Sequence, residues 1–149
     1  EALKEELFPL AAVVTPNLME AAALCGFSVS VRQEREGAAE KIAKYGSGAV
    51  LLKGGHLAEG ADDLLYEKGK YTWFSSKRIE NPNTHGTGCT LSSAIACSLA
   101  AGYSLERGIR NAKKYLTGAL QDGLDLGHGR GPLNHMYRLP PFANGYPFR

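Results

Sequence analysis

The period of the apolar positions changes along the chain, and each change marks an element. Glu1-Ala-Leu-Lys-Glu-Glu-Leu-Phe8 has helical spacing. Phe8-Pro9 ends that helix, because proline lacks an amide and biases the residue before it away from the helical region. Ala11-Ala-Val-Val14 is wholly apolar and stops at Thr15-Pro16-Asn17, the mark of a strand buried on both faces, as in a parallel sheet. Leu18 to Leu24 predicts a short helix closed by Gly26. Ser30 with Gln33 fits a capping box, followed by Ala38, Ile42 and Tyr45 at helical spacing and Gly46 as the stop. Ala49-Val-Leu-Leu52 is a second buried strand and leads into Lys53-Gly-Gly-His56. Asp63–Tyr66 and Tyr71–Phe74 flank Glu67-Lys-Gly-Lys70, a hairpin with a glycine in its turn.

Leu91, Ile95 and Leu99 then share one helical face, stopped by Gly102. Ser104 caps a last long helix carrying Leu105, Ile109, Ala112, Leu116 and Leu120. Beyond Gly123 the chain is rich in glycine and proline, and no regular structure is expected. Strands alternating with helices predict an α/β fold with a mostly parallel sheet, in one domain.

Composition narrows the picture without pointing to a function. With 149 residues, 44% hydrophobic and 21% charged, the chain is neither disordered nor collagenous. A net charge of +2 gives no reason to expect nucleic acid or an anionic membrane as partner, and no apolar run is long enough to span a bilayer. Three cysteines (Cys25, Cys89 and Cys97) are too few for a disulfide scaffold and fit a reducing, cytoplasmic setting. The chain opens without an initiator Met, as though inside a secondary-structure element, so a piece of a longer protein is expected.

Candidate chemistry collects at three places. Gly86-Thr87-Gly88-Cys89 opens an amphipathic helix. Its glycines permit close backbone approach to a ligand, and the amides and dipole of a helix start favour an anion. A phosphate whose charge grows during transfer would be stabilised there. The segment matches neither a Walker A loop nor a GxGxxG fingerprint, and a tight loop needing flexible residues accounts for it equally well. A helix start also favours the thiolate of Cys89, which could then take a proton from a substrate hydroxyl; the competing role is a small buried filler. Cys25 and Cys97 fit the filler role better.

Asn17 and Glu20 follow the first apolar run. Glu20 could hold Mg²⁺ directly or through water, or the pair could simply cap the helix. Lys53, at a strand end, suits either a phosphate contact or a solvated terminus. His85 and Cys89 lack the further ligands a zinc site needs. Gly127-His-Gly-Arg-Gly131 is a plain turn more readily than a phosphate loop, and Tyr71, Trp73 and Phe74 are sheet core more readily than a stacking platform.

Thr15-Pro-Asn-x-x-Glu20, Val50-Leu-Leu-Lys-Gly-Gly-His56 and Asn83-Thr-His-Gly-Thr-Gly-Cys-Thr90 resemble, in that order, the hydroxymethylpyrimidine/phosphomethylpyrimidine kinases of thiamine biosynthesis, members of the ribokinase-like superfamily. The chain resembles their C-terminal portion. Most ribokinase-like enzymes carry Asp where Cys89 stands, whereas Cys is typical of the pyrimidine kinases and some pyridoxal kinases. The resemblance implies a ribokinase-like fold and ATP-dependent phosphorylation of a hydroxymethyl heterocycle, then of its monophosphate. It implies an anion hole at Gly86, Thr87, Gly88 and Cys89, with Cys89 as base, Asn17 and Glu20 near Mg²⁺ and the phosphates, and Lys53 and Thr84 near the nucleotide. The implied partner is the small-molecule acceptor, with self-association or association with a missing N-terminal portion to complete the sheet. A pyridoxal kinase-like enzyme and a non-catalytic nucleotide-binding fragment are the alternatives.

Overall fold

A computed structural model describes the chain except residues 55–61, 76–78, 80, 82–84, 123, 125, 127, 129–130 and 140–149. The opening turns are tighter and looser than an α-helix: a π-helical segment Leu3–Leu7 runs into a 3₁₀ turn Phe8–Leu10 that contains Pro9. Phe8 is buried, whereas Leu3, Leu7 and Leu10 are 49%, 55% and 81% exposed.

Helix α1 (Leu18–Cys25) ends at Gly26, whose φ of 73° is the left-handed conformation that glycine adopts without a Cβ penalty. Helix α2 (Arg32–Ala43) starts with a cap displaced by one residue from the expected one and made from one side only. Glu34, not Gln33, reaches back, its carboxylate accepting from the Ser30 amide at 2.8 Å, the Ser30 hydroxyl at 2.8 Å and the Val31 amide at 3.2 Å. These bonds, the Ser30 amide foremost, hold the Glu34 carboxyl below its usual range.

Strand β1 (Ala49–Leu52) is buried along its whole length. It pairs antiparallel with β2 (Asp63–Glu67), which pairs antiparallel with β3 (Lys70–Phe74) in the order β1-β2-β3. The β2–β3 turn has positive φ at Lys68 and Gly69, the two-residue geometry whose twist matches that of the strands. The α/β class holds, but the three strands are not the mostly parallel sheet expected. Among the described residues parallel pairing survives only along the other edge of β1, as the bridges Val14↔Val50 and Asn17↔Lys53. Residues 11–14 do not extend into a strand: Ala12 is exposed and the rest half-buried, and Pro16, in line with them, has no amide to continue the ladder.

The described residues fall into two compact units, Glu1–Arg78 and Ile79–Arg149. In the first, Ala21 and Cys25 of α1 and Ala38, Ala39 and Ile42 of α2 pack with Val50, Leu52 and Leu64 of the sheet. The β3 aromatics are core, as expected: Phe74 is buried, and Trp73 packs on the core with the Arg32 guanidinium 4.6 Å from its ring centre. In the second unit, α3 (Thr87–Ala100) and α4 (Leu105–Asp122) pack through Leu91, Ile95, Ile109 and Ala112. Gly108 brings α4 so close to α3 that a Cβ there would stand 3.2 Å from Ser98 Cβ. Residues 131–139 carry no helix or strand and lie on α4: Leu133 is buried, and the Tyr137 ring occupies the space a side chain at Gly118 would need.

Candidate functional site

The start of α3 is built by Gly86. As the residue before the helix it takes φ 81°, ψ 0°, a left-handed conformation that a side chain would strain, and it turns the chain abruptly into Thr87. No side chain caps this end among the described residues. Gly88 and Cys89 lie in the first turn, where no preceding carbonyl of the helix reaches their amides. Helical bonding begins with the Thr90 amide donating to the Gly86 carbonyl at 2.8 Å. The Cys89 thiol is exposed, which removes the filler role for that residue. Thr84, expected near the nucleotide, lies outside the described residues, as do His56 and much of the Gly127–Gly131 loop.

In the other unit the structure brings Asn17, Glu20 and Lys53 together. Asn17 and Lys53 are partners in a parallel bridge, with the Lys53 amide donating to the Pro16 carbonyl at 2.9 Å. Asn17 caps α1 reciprocally with Glu20: the Glu20 amide donates to Asn17 Oδ1 at 2.8 Å, and the Asn17 amide donates to Glu20 Oε2 at 2.8 Å. The capping role weighed against the ligand role is therefore present, and Glu20 remains exposed beside it.

The other two cysteines differ from one another. Cys25 is buried, its thiol 3.6 Å from the Ala38 carbonyl, and burial pushes it above the usual thiol range against the pull of Lys41 and Lys4. Cys97 is exposed, contrary to the filler expectation. At 3.6 residues per turn it sits about 200° round from buried Ile95.

Cys89 and Cys97 both line a cavity of about 590 Å³ within this unit, together with Ser93, Asn111, Tyr115 and His135. The Tyr115 hydroxyl donates to the His135 carbonyl at 3.0 Å and lies 3.2 Å from His135 Nδ1, and the rings are stacked with centres 6.3 Å apart. Sequence reasoning missed Ser93, Asn111, Tyr115 and His135 as wall residues. Asn111 and Tyr115 stand four apart on one face of α4, a detectable signal, but nothing local announces that His135 folds back on them.

The family model for phosphomethylpyrimidine kinase matches residues 1–134. The chain belongs to the phosphomethylpyrimidine kinase family. A hydroxymethylpyrimidine/phosphomethylpyrimidine kinase of Streptomyces coelicolor is 45% identical over 139 residues, which cover 93% of this chain and 52% of that protein. The ADP complex of Bacillus subtilis pyridoxal kinase is similar with a TM-score of 0.85 at 37% identity, over 91% of this chain and 54% of that one. A phosphomethylpyrimidine kinase of Clostridium difficile gives 0.64 at 35%, over 77% and 46%.

The chain thus spans about half the length of the curated relatives it matches. Membership of the phosphomethylpyrimidine kinase family agrees with the ribokinase-like assignment, and Asn17, Glu20, Lys53, Gly86 and Cys89 all fall inside the matched residues. No helix among the described residues is long and apolar enough to cross a membrane.

Proposed function

We propose that this chain carries the ATP and anion-hole side of a cytoplasmic kinase that phosphorylates hydroxymethylpyrimidine and then its monophosphate. The observation that carries this reading is the start of α3, where a left-handed Gly86 leads into the first-turn amides of Gly88 and Cys89 and an exposed Cys89 thiol. Phosphoryl transfer asks the protein mainly for positioning and for stabilisation of charge on the transferred group. Gly86, Thr87, Gly88 and Cys89 supply the second: their backbone dipoles are fixed before the charge develops, so nothing reorganises during transfer.

Cys89 accepts the proton of the acceptor hydroxyl as that oxygen bonds to the γ-phosphorus and the bond to the ADP oxygen breaks. Lys53 meets the nucleotide as a point charge, with Thr84 near it and Asn17 near the phosphates. Mg²⁺ supplies neutralisation of phosphate charge when bound. Glu20 fits as its protein ligand because it is exposed at a helix start. Mg²⁺ takes oxygen ligands and keeps much of its water, so a single exposed carboxylate would suffice to hold it. The acceptor in the second step is an ionised phosphate, so Cys89 contributes less to that step.

The likeness to pyridoxal kinase supports a second reading, with pyridoxal as the acceptor. ADP release from MgATP, measured with hydroxymethylpyrimidine and with pyridoxal, separates them. The first reading expects release that depends on the pyrimidine, completed by self-association or an N-terminal portion. Release that depends on pyridoxal alone overturns it. MgATP binding without turnover on either acceptor marks a nucleotide-binding fragment.

A further inference from the structure

Lys53 is anchored from both sides, and only one anchor belongs to the ladder that carries it. Its own amide donates to the Pro16 carbonyl at 2.9 Å. The next amide, of buried Gly54, donates to the Oδ1 of Asp63 at 2.8 Å across a separation of nine residues. Asp63 is 5% exposed, at the first position of β2. Gly54 is pressed against the same stretch: a Cβ there would overlap the Asp62 carbonyl oxygen and stand 3.3 Å from Arg35 Nη1. The peptide between Lys53 and Gly54 therefore has little freedom to rotate, and the direction in which the Lys53 Cα–Cβ bond leaves the backbone is set with it. Holding a charged group in its working direction before ligand arrives reduces the ordering that binding must impose.

We propose that the buried Asp63 carboxylate is a positioning residue, fixing the Lys53–Gly54 peptide so that the Lys53 ammonium is held towards the nucleotide phosphates. This rests on Lys53 being a nucleotide contact. The test is a double-mutant cycle on the full chain with MgADP as the probe, read by calorimetry. Asp63→Ala is expected to weaken binding about five- to tenfold in the Lys53 background and to have no further effect in Lys53→Ala, because residues acting through one another are not additive. Asp63→Asn, which keeps the Oδ1 acceptor, is expected to stay close to the original affinity.

An equal loss from Asp63→Ala in both backgrounds overturns the proposal and leaves Asp63 a purely structural residue. Unchanged affinity in Lys53→Ala overturns it differently, by removing the Lys53 contact on which it rests. Should Asp63→Ala fail to fold, hydrogen exchange of the Gly54 amide in the unaltered chain decides: strong protection supports the anchor and fast exchange refutes it.

Discussion

Asn17 and Lys53 stand opposite one another in a parallel bridge, 36 positions apart in sequence, at the end of the only parallel pairing among the described residues. Each is also held outside the bridge: Asn17 by its reciprocal cap with Glu20, Lys53 through the neighbouring Gly54 amide, which donates to the Asp63 carboxylate. An amide side chain and a cation are thereby set at the ends of adjacent segments, where open α/β sheets bind ligands.

Removing the cap has a defined cost. Asn17→Ala leaves the Glu20 amide without its side-chain acceptor and is expected to lower stability by about 1 kcal/mol. Asn17→Asp, which retains an acceptor, is expected to recover most of it. Urea denaturation midpoints of the three proteins check this, and an unchanged midpoint for the alanine variant counts against the cap.

Cys89→Ala separates base catalysis from charge stabilisation. The α3 amides survive the change, so the proposed anion hole is retained while the proposed proton acceptor is lost. Phosphorylation of the hydroxymethyl acceptor is expected to slow about 10²–10⁴-fold, the usual contribution of a positioned base. Phosphorylation of the monophosphate should be affected far less. Equal losses in separate assays of the two steps contradict the assigned role.

Tyr71 and Glu40 provide a titration on the protein's surface. The Tyr71 hydroxyl donates to the Glu40 carboxylate, and this bond above all, with burial and nearby negative charge, pushes the tyrosine up to about 12. The folded-state value lies above the ordinary value near 10. The pair's contribution is therefore complete below pH 10 and is lost as pH rises towards 12. Ultraviolet titration should show a late tyrosine component that moves to lower pH in Glu40→Gln; no movement would mean that the bond is absent in solution.

The α3–α4 pair depends on Ile95, 1% exposed. Ile95→Ala is expected to cost about 2–5 kcal/mol, the range for emptying a packed core site. Thermal unfolding measures it, and a loss under about 0.5 kcal/mol, the level of a surface substitution, would mean that the helices are not packed as described.

Local chemistry explains what the sequence disclosed and what it hid. Gly26, Gly69 and Gly102 each mark a stop or turn because their left-handed backbone is a local requirement, and Ser104 is similarly legible as the residue before α4. The start of α2 was missed by one position because Gln33 and Glu34 both suit a capping box, and only the structure shows which side chain turns back. Parallel and antiparallel pairing were not distinguishable in Ala49–Leu52, since burial on both faces produces the same apolar run either way. The exposure of Cys97 and the return of His135 onto Tyr115 depend on long-range packing that no spacing records.

The central claim is that the start of α3 receives the phosphates of ATP. Amide chemical shifts of the ¹⁵N-labelled chain, followed while MgATP is added, test it most directly. The account predicts saturable shifts at Gly86, Gly88 and Cys89, reproduced by MgADP and absent with adenosine. Saturable binding that leaves these three amides unmoved, or no saturable shift at all, contradicts it.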